Sequence, residues 1–171
     1  MTLLRLMQRA ILALCLATCS TSCLSTASRG WIFLEVKASH PCYNAGKIIL
    51  KPEKEYSYLE VEIVRTSSGL RMYLNILLMQ ALPCQDNIKA TEVVIILPQE
   101  TLTFIATLLE GGQRILFPPE ITNLLIQTLL NDLTFSIKLG ANSFTVIPNQ
   151  FEESYSHLMQ ISIEQNSNFK R

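Results

Sequence analysis

The chain has 171 residues, 49% of them hydrophobic and 16% charged, with 14 basic side chains against 14 acidic ones. An average soluble domain is about 25% charged, so the chain is too apolar and too lightly charged to be a disordered protein. The length suits one domain, and the balanced charge argues against a nucleic-acid binder built on a large basic surface.

Arg5 and Arg9 are the only charged side chains before Arg29, and residues 10–19 are apolar except for Thr18. A basic start, a short apolar run and then small polar residues is the pattern of a secretory signal peptide, expected here over residues 1–27. The run is about ten residues, and roughly 20 are needed to span a bilayer, so a leader fits better than a membrane anchor. Two cleavage points compete. Ser20-Thr21-Ser22-Cys23 resembles a bacterial lipobox with Cys23 as the lipidated residue, although Ser20 stands where an aliphatic residue is usual. The other is cleavage after Ala27, with Ser25 and Ala27 as the small pair. A lipid on Cys23 would tether the domain to a membrane surface without a spanning helix. Losing Arg5 and Arg9 leaves the body mildly acidic. Cys15, Cys19 and Cys23 belong to the leader or its edge, so Cys42 and Cys84 remain. In an exported domain such a pair reads as a disulfide, closing a loop of about 43 residues and contributing roughly 4 kcal/mol.

The body, 28–164, reads as one globular domain, strands first and helices late. Residues 31–38 and 47–51 are short strands either side of a Pro, Asn and Gly loop. Residues 56–65 alternate, with Leu59, Val61 and Ile63 on one face and Glu60, Glu62 and Val64 on the other. The turn Thr66-Ser67-Ser68-Gly69 then returns the chain along 70–79. Pairing Arg65 with Leu70 sets Ile63 opposite Met72, Val61 opposite Leu74 and Leu59 opposite Ile76. This keeps one face apolar and one polar. The apolar end of that strand, 76–79, reads as covered on both faces, by the core and by a helix or partner. A polar loop, 83–90, carries Cys84. Strands at 91–97, 101–109 and 114–117, separated by short turns, make an antiparallel meander. Pro118-Pro119-Glu120 opens a helix with Ile121, Leu124, Leu125 and Leu129 at helical spacing. A hairpin across Gly140-Ala141-Asn142 follows. A last helix is expected to be capped by Asn149 with Glu152, burying Phe151, Tyr155, Leu158 and Met159. Residues 165–171 are a polar tail. The fold class is α+β, an antiparallel β-rich sandwich or curled sheet with two helices in the C-terminal half, the core covered on both sides by helices.

No catalytic template fits. There is no Gly-x-Ser-x-Gly elbow. His40 and His157 offer a thiol nucleophile at Cys42 little support, and a disulfide at Cys42 removes it. Two Cys and two distant His lack metal-ligand spacing, so neither metal nor cofactor is expected. Glu60 and Glu62 lie roughly 7 Å apart on one strand face, within range of a glycosidase pair, but they read as solvated opposite Tyr73 and Asn75. Gly111-Gly112-Gln113-Arg114 lacks the Lys and hydroxyl of a phosphate loop and reads as a turn. The tip 65–71 is an exposed interaction candidate.

The Ser-Thr-Ser-Cys leader, the segment Ser68-Gly69-Leu70-Arg71-Met72-Tyr73-Leu74-Asn75, and Leu109-Glu110-Gly111-Gly112-Gln113-Arg114 running into Pro118-Pro119-Glu120 resemble small uncharacterised exported proteins of the chlamydial type. The resemblance implies a Gram-negative envelope protein facing the periplasm and carries no functional residue with it. The expectation is an exported envelope protein, periplasmic or outer-membrane associated, acting as a non-enzymatic binding or structural module. Its partners would be a membrane surface and a protein, not nucleic acid. A small periplasmic or secreted hydrolase and a secreted host-directed effector are the alternatives. A pocket holding Glu60 or His157 would favour the enzyme, and an open edge strand would favour binding.

Overall fold

The computed structural model describes residues 30–40, 43–51, 58–109 and 111–163. The expected leader, Cys23, Cys42 and the polar tail lie outside the described residues. The strands are β1 (Trp31–Val36), β2 (Ala45–Leu50), β3 (Leu59–Thr66), β4 (Gly69–Ile76), β5 (Ala90–Ile96), β6 (Thr101–Leu108), β7 (Arg114–Leu116), β8 (Phe135–Leu139) and β9 (Asn142–Val146). The helices are α1 (Pro119–Leu130) and α2 (Phe151–Gln160). All nine strands join one antiparallel sheet in the order β1-β2-β3-β4-β7-β6-β5-β8-β9. The described residues thus form a strand-rich α+β fold with two helices, both in the C-terminal half.

Of the two expected shapes, the curled sheet forms. Trp31 donates its backbone N–H to the Asn149 carbonyl at 3.2 Å and its indole Nε1–H to the Ile147 carbonyl at 2.9 Å. The segment leaving β9 thus reaches the first residue of β1, and the sheet wraps round one core.

The β3–β4 hairpin has the register that its alternation demands, with Arg65 opposite Leu70, Ile63 opposite Met72 and Leu59 opposite Ile76. Gly69 takes φ 107°, a conformation other residues rarely adopt. The apolar face of this hairpin continues across the sheet through Ile48 and Leu50, Ile115, Val93 and Ile95, Ile137, and Phe144 and Val146, all buried in one cluster. Both helices pack on that same face rather than one on each side. Phe151 meets the Trp31 ring edge-on at 5.0 Å, and α1 buries Leu125, Ile126 and Leu129. Gly46 lies under α2, where an added Cβ would run into Leu158 and Ile161.

Four local expectations change. β4 stops at Ile76, opposite Leu59, the first residue of β3. Residues 77–79 bend away into the next loop. α1 is rolled relative to the expected stripe. Leu124 is exposed, and Thr122 and Thr128 are buried beside Leu125 and Leu129. α2 starts from Gln150, in the left-handed region at φ 60° with no side-chain cap, instead of from Asn149 with Glu152. The Asn149 carbonyl is already committed to Trp31, and the chain must turn there before the helix can begin. On α2 itself Phe151, Ser154 and Leu158 are buried, Tyr155 is half-buried and Met159 is exposed.

Candidate functional site

Of the side chains singled out in the sequence, Glu60, Glu62 and Arg114 come together, while Arg65, His157 and Cys84 have other neighbours. Glu62 is buried rather than solvated, at 4% exposure, although it lies on the outer face of the sheet. One carboxylate oxygen meets Lys47 Nζ at 3.1 Å and the other meets Arg114 Nη2 at 2.8 Å. Asn75 Nδ2 donates to both Glu60 and Glu62, and the Arg114 guanidinium lies 3.9 Å from the centre of the Tyr73 ring. Glu60 and Glu62 are thus tied into an ion cluster across β2, β3, β4 and β7. Arg114, the charged residue of the glycine turn, is occupied by Glu62 rather than by a phosphate. Arg65, at the base of the exposed tip, turns inward. Its Nη1 donates to the carbonyls of Leu158, Met159 and Ile161 at 2.8–3.1 Å, capping the C-terminus of α2. His157 is exposed and packs on Phe33. Cys84 is a half-buried free thiol, and its expected partner Cys42 lies outside the described residues.

The structure draws attention instead to the loop joining β4 to β5. Five large apolar side chains on it face solvent: Leu77, Leu78, Met79, Leu82 and Ile88. Leu82 is 84% exposed, Ile88 78% and Leu78 70%. Scattered exposed apolar residues are ordinary, but five within one loop are a local concentration that points to an interaction site. The loop is held in place. Leu77 N–H donates to the Tyr58 carbonyl, Ala81 N–H to the Gly112 carbonyl and Cys84 N–H to the Ala90 carbonyl, each at 2.8 Å. Thr91 Oγ1 donates to the Leu82 carbonyl at 2.8 Å. Pinned at these points, the backbone displays the apolar side chains rather than hiding them.

Behind the loop lies a half-open cavity of about 440 Å³, lined by Met79, Ala81, Leu82, Cys84, Leu139 and Asn142 among others. Asn142 Nδ2 reaches Met79 Sδ at 3.3 Å, which ties the loop to the start of β9. The cavity is lined by neither Glu60 nor His157, and Glu92 is the one ionisable carboxylate on its wall. The signal for this site was present in the sequence as Leu77-Leu78-Met79 and as Leu82 and Ile88. The first run passes for a buried strand end, and the other two sit among turn residues.

No protein-family model matches the chain, and neither a curated protein nor a solved structure gives a match.

Proposed function

We propose that this chain is an exported, non-enzymatic binding module of the cell envelope, periplasmic in its orientation. It lies on a lipid surface, tethered by a lipid on Cys23 and seated through the loop 77–88. The observation that carries this reading is the pinned loop with Leu78, Leu82 and Ile88 turned to solvent. Placing such side chains in the acyl boundary of a bilayer gains about 1–2 kcal/mol each. The loop's hydrogen-bonded backbone groups lower the cost of leaving water.

The tether and the loop are compatible in position. Trp31 pairs with Leu50, in line with Val61 and Leu74, so β1 begins at the sheet edge where β4 ends. Three strand spacings of about 4.8 Å separate β1 from β4. The segment between Cys23 and Gly30 extends at most about 25 Å. A lipid on Cys23 and the loop 77–88 can therefore meet one surface together. The segment 77–89 carries Asp86 and Lys89, so its charge is balanced and attraction to anionic lipid plays little part.

The test is flotation with vesicles of neutral phosphatidylcholine. The purified protein is expected to bind with little dependence on salt. Leu82→Ser combined with Ile88→Ser should lower the partition coefficient by roughly 30- to 1,000-fold without changing the melting temperature. Unchanged binding in that double variant would remove the loop from the interface. The intact mass of the mature protein reads the cleavage point, the lipid on Cys23 and the oxidation state of Cys42 and Cys84 together. An unmodified Cys23 would leave the loop as the sole contact with lipid.

A further inference from the structure

β1 is an edge strand of the sheet, and among the described residues no strand pairs with its outer margin. The backbone N–H of Trp31 points away from β2, toward Asn149. By strand alternation the N–H and C=O of Phe33 and Glu35 point the same way. Among the described residues no backbone group pairs with them. The same strand turns Ile32, Leu34 and Val36 outward, at 47%, 43% and 56% exposure. An edge that shows both unpaired backbone groups and a row of aliphatic side chains is a template for another strand.

We infer that in solution, away from lipid, β1 pairs antiparallel with β1 of a second copy of this chain, with Leu34 opposite Leu34 on the two-fold axis. This pairing points the two 77–88 loops in opposite directions, so the dimer and the seating of both copies on one lipid surface exclude each other. In this register Phe33 and Glu35 of each copy exchange backbone hydrogen bonds with Glu35 and Phe33 of the other. Leu34 then occupies the closer, non-hydrogen-bonded pair. Ile32 faces Val36, so the outer face carries an unbroken apolar ladder across the axis.

The neighbouring registers fail for stated reasons. Shifting one way sets Glu35 directly against Glu35. Shifting the other way requires the backbone groups of Trp31, whose N–H already donates to Asn149 and whose carbonyl accepts Ser154 Oγ at 3.0 Å. In the chosen register the two Glu35 carboxylates are only diagonal neighbours, and Lys37 lies 3.5 Å from Glu35 within each copy. The complementarity of the strand to itself selects a second copy over a foreign peptide. The interface is small, well under the roughly 800 Å² per partner of a standard one, so a weak, reversible association is expected.

Sedimentation equilibrium of the purified protein between roughly 1 and 200 μM should show a monomer–dimer equilibrium. Leu34→Lys should abolish it while leaving the melting temperature unchanged, because Leu34 points away from the core. Cysteine scanning reports the register. Under mild oxidation Leu34→Cys should give the 34–34 linked peptide, identified by mass spectrometry, at least about tenfold faster than Ile32→Cys or Val36→Cys link to themselves. A mixture of Ile32→Cys and Val36→Cys should link as fast as Leu34→Cys. A monomer throughout the concentration range, or equal rates for the three single variants, overturns the inference.

Discussion

Glu62 shows how one side chain can organise a face of a sheet that is otherwise open to water. Its carboxylate serves Lys47 from β2, Asn75 from β4 and Arg114 from β7, and each partner shields it further. Pairwise reasoning along the hairpin set it opposite Tyr73, which is correct. That reasoning could not see Arg114, which stands 52 residues away and reaches the carboxylate from β7, on the far side of β4. Removing the charge leaves two cations beside a neutral amide. Lys47 and Arg114 retain some access to water, so the penalty falls below that of a fully buried pair. Glu62→Gln is expected to destabilise the fold by about 1–3 kcal/mol, measured by urea denaturation. Glu60, bound among the described residues through Asn75, should give less than half that loss. Equal losses at the two positions would show that burial of the carboxylate is not what matters.

At the scale of elements, the β3–β4 hairpin and the meander of β5, β6 and β7 were legible because each is local. Alternation sets the faces, and short turns join neighbours. The helix details were not legible, because they depend on contacts distant in sequence. The start of α2 is displaced by the commitment of Asn149 to Trp31, and its end is held by Arg65 from β3. Arg65 reads in the sequence as part of an exposed tip, and nothing local reveals that it stands opposite Gly46 under the helix. Three charge-assisted bonds to terminal carbonyls also place the guanidinium where the helix dipole favours a cation. Arg65→Met, which keeps much of the stem, is expected to cost about 2 kcal/mol. A second readout separates the cap from general loosening. Burial pushes the Tyr155 hydroxyl above its ordinary value, and the positive charge of Arg65 pulls it down. Loss of Arg65 should therefore raise the Tyr155 titration further, seen by phenolate absorbance. A downward move would mean that α2 had come away and exposed the ring.

The whole molecule depends on how the curled sheet is closed. Nine strands in one sheet bring β1 and the end of β9 together, and among the described residues Trp31 joins them without a strand ladder. Trp31 holds Asn149 by its amide, Ile147 by its indole, Ser154 by its carbonyl and Phe151 by its ring. This arrangement leaves the rest of the β1 edge free while fixing α2 on the inner face. Long-range closure of this kind has no signature in local alternation, which is why the sequence supports a sandwich and a curled sheet equally. It also predicts where the molecule opens first. Trp31→Leu removes the indole bond and the edge-on contact with Phe151 at once, a loss of about 2–4 kcal/mol. Hydrogen exchange should then speed up together in residues 31–36 and 151–160, since both hang on this residue. Residues 90–108, paired with each other as β5 and β6 on the far side of the sheet, should keep their protection. Uniform acceleration across all strands would show instead that the sheet opens as one unit, with no separate seam at Trp31.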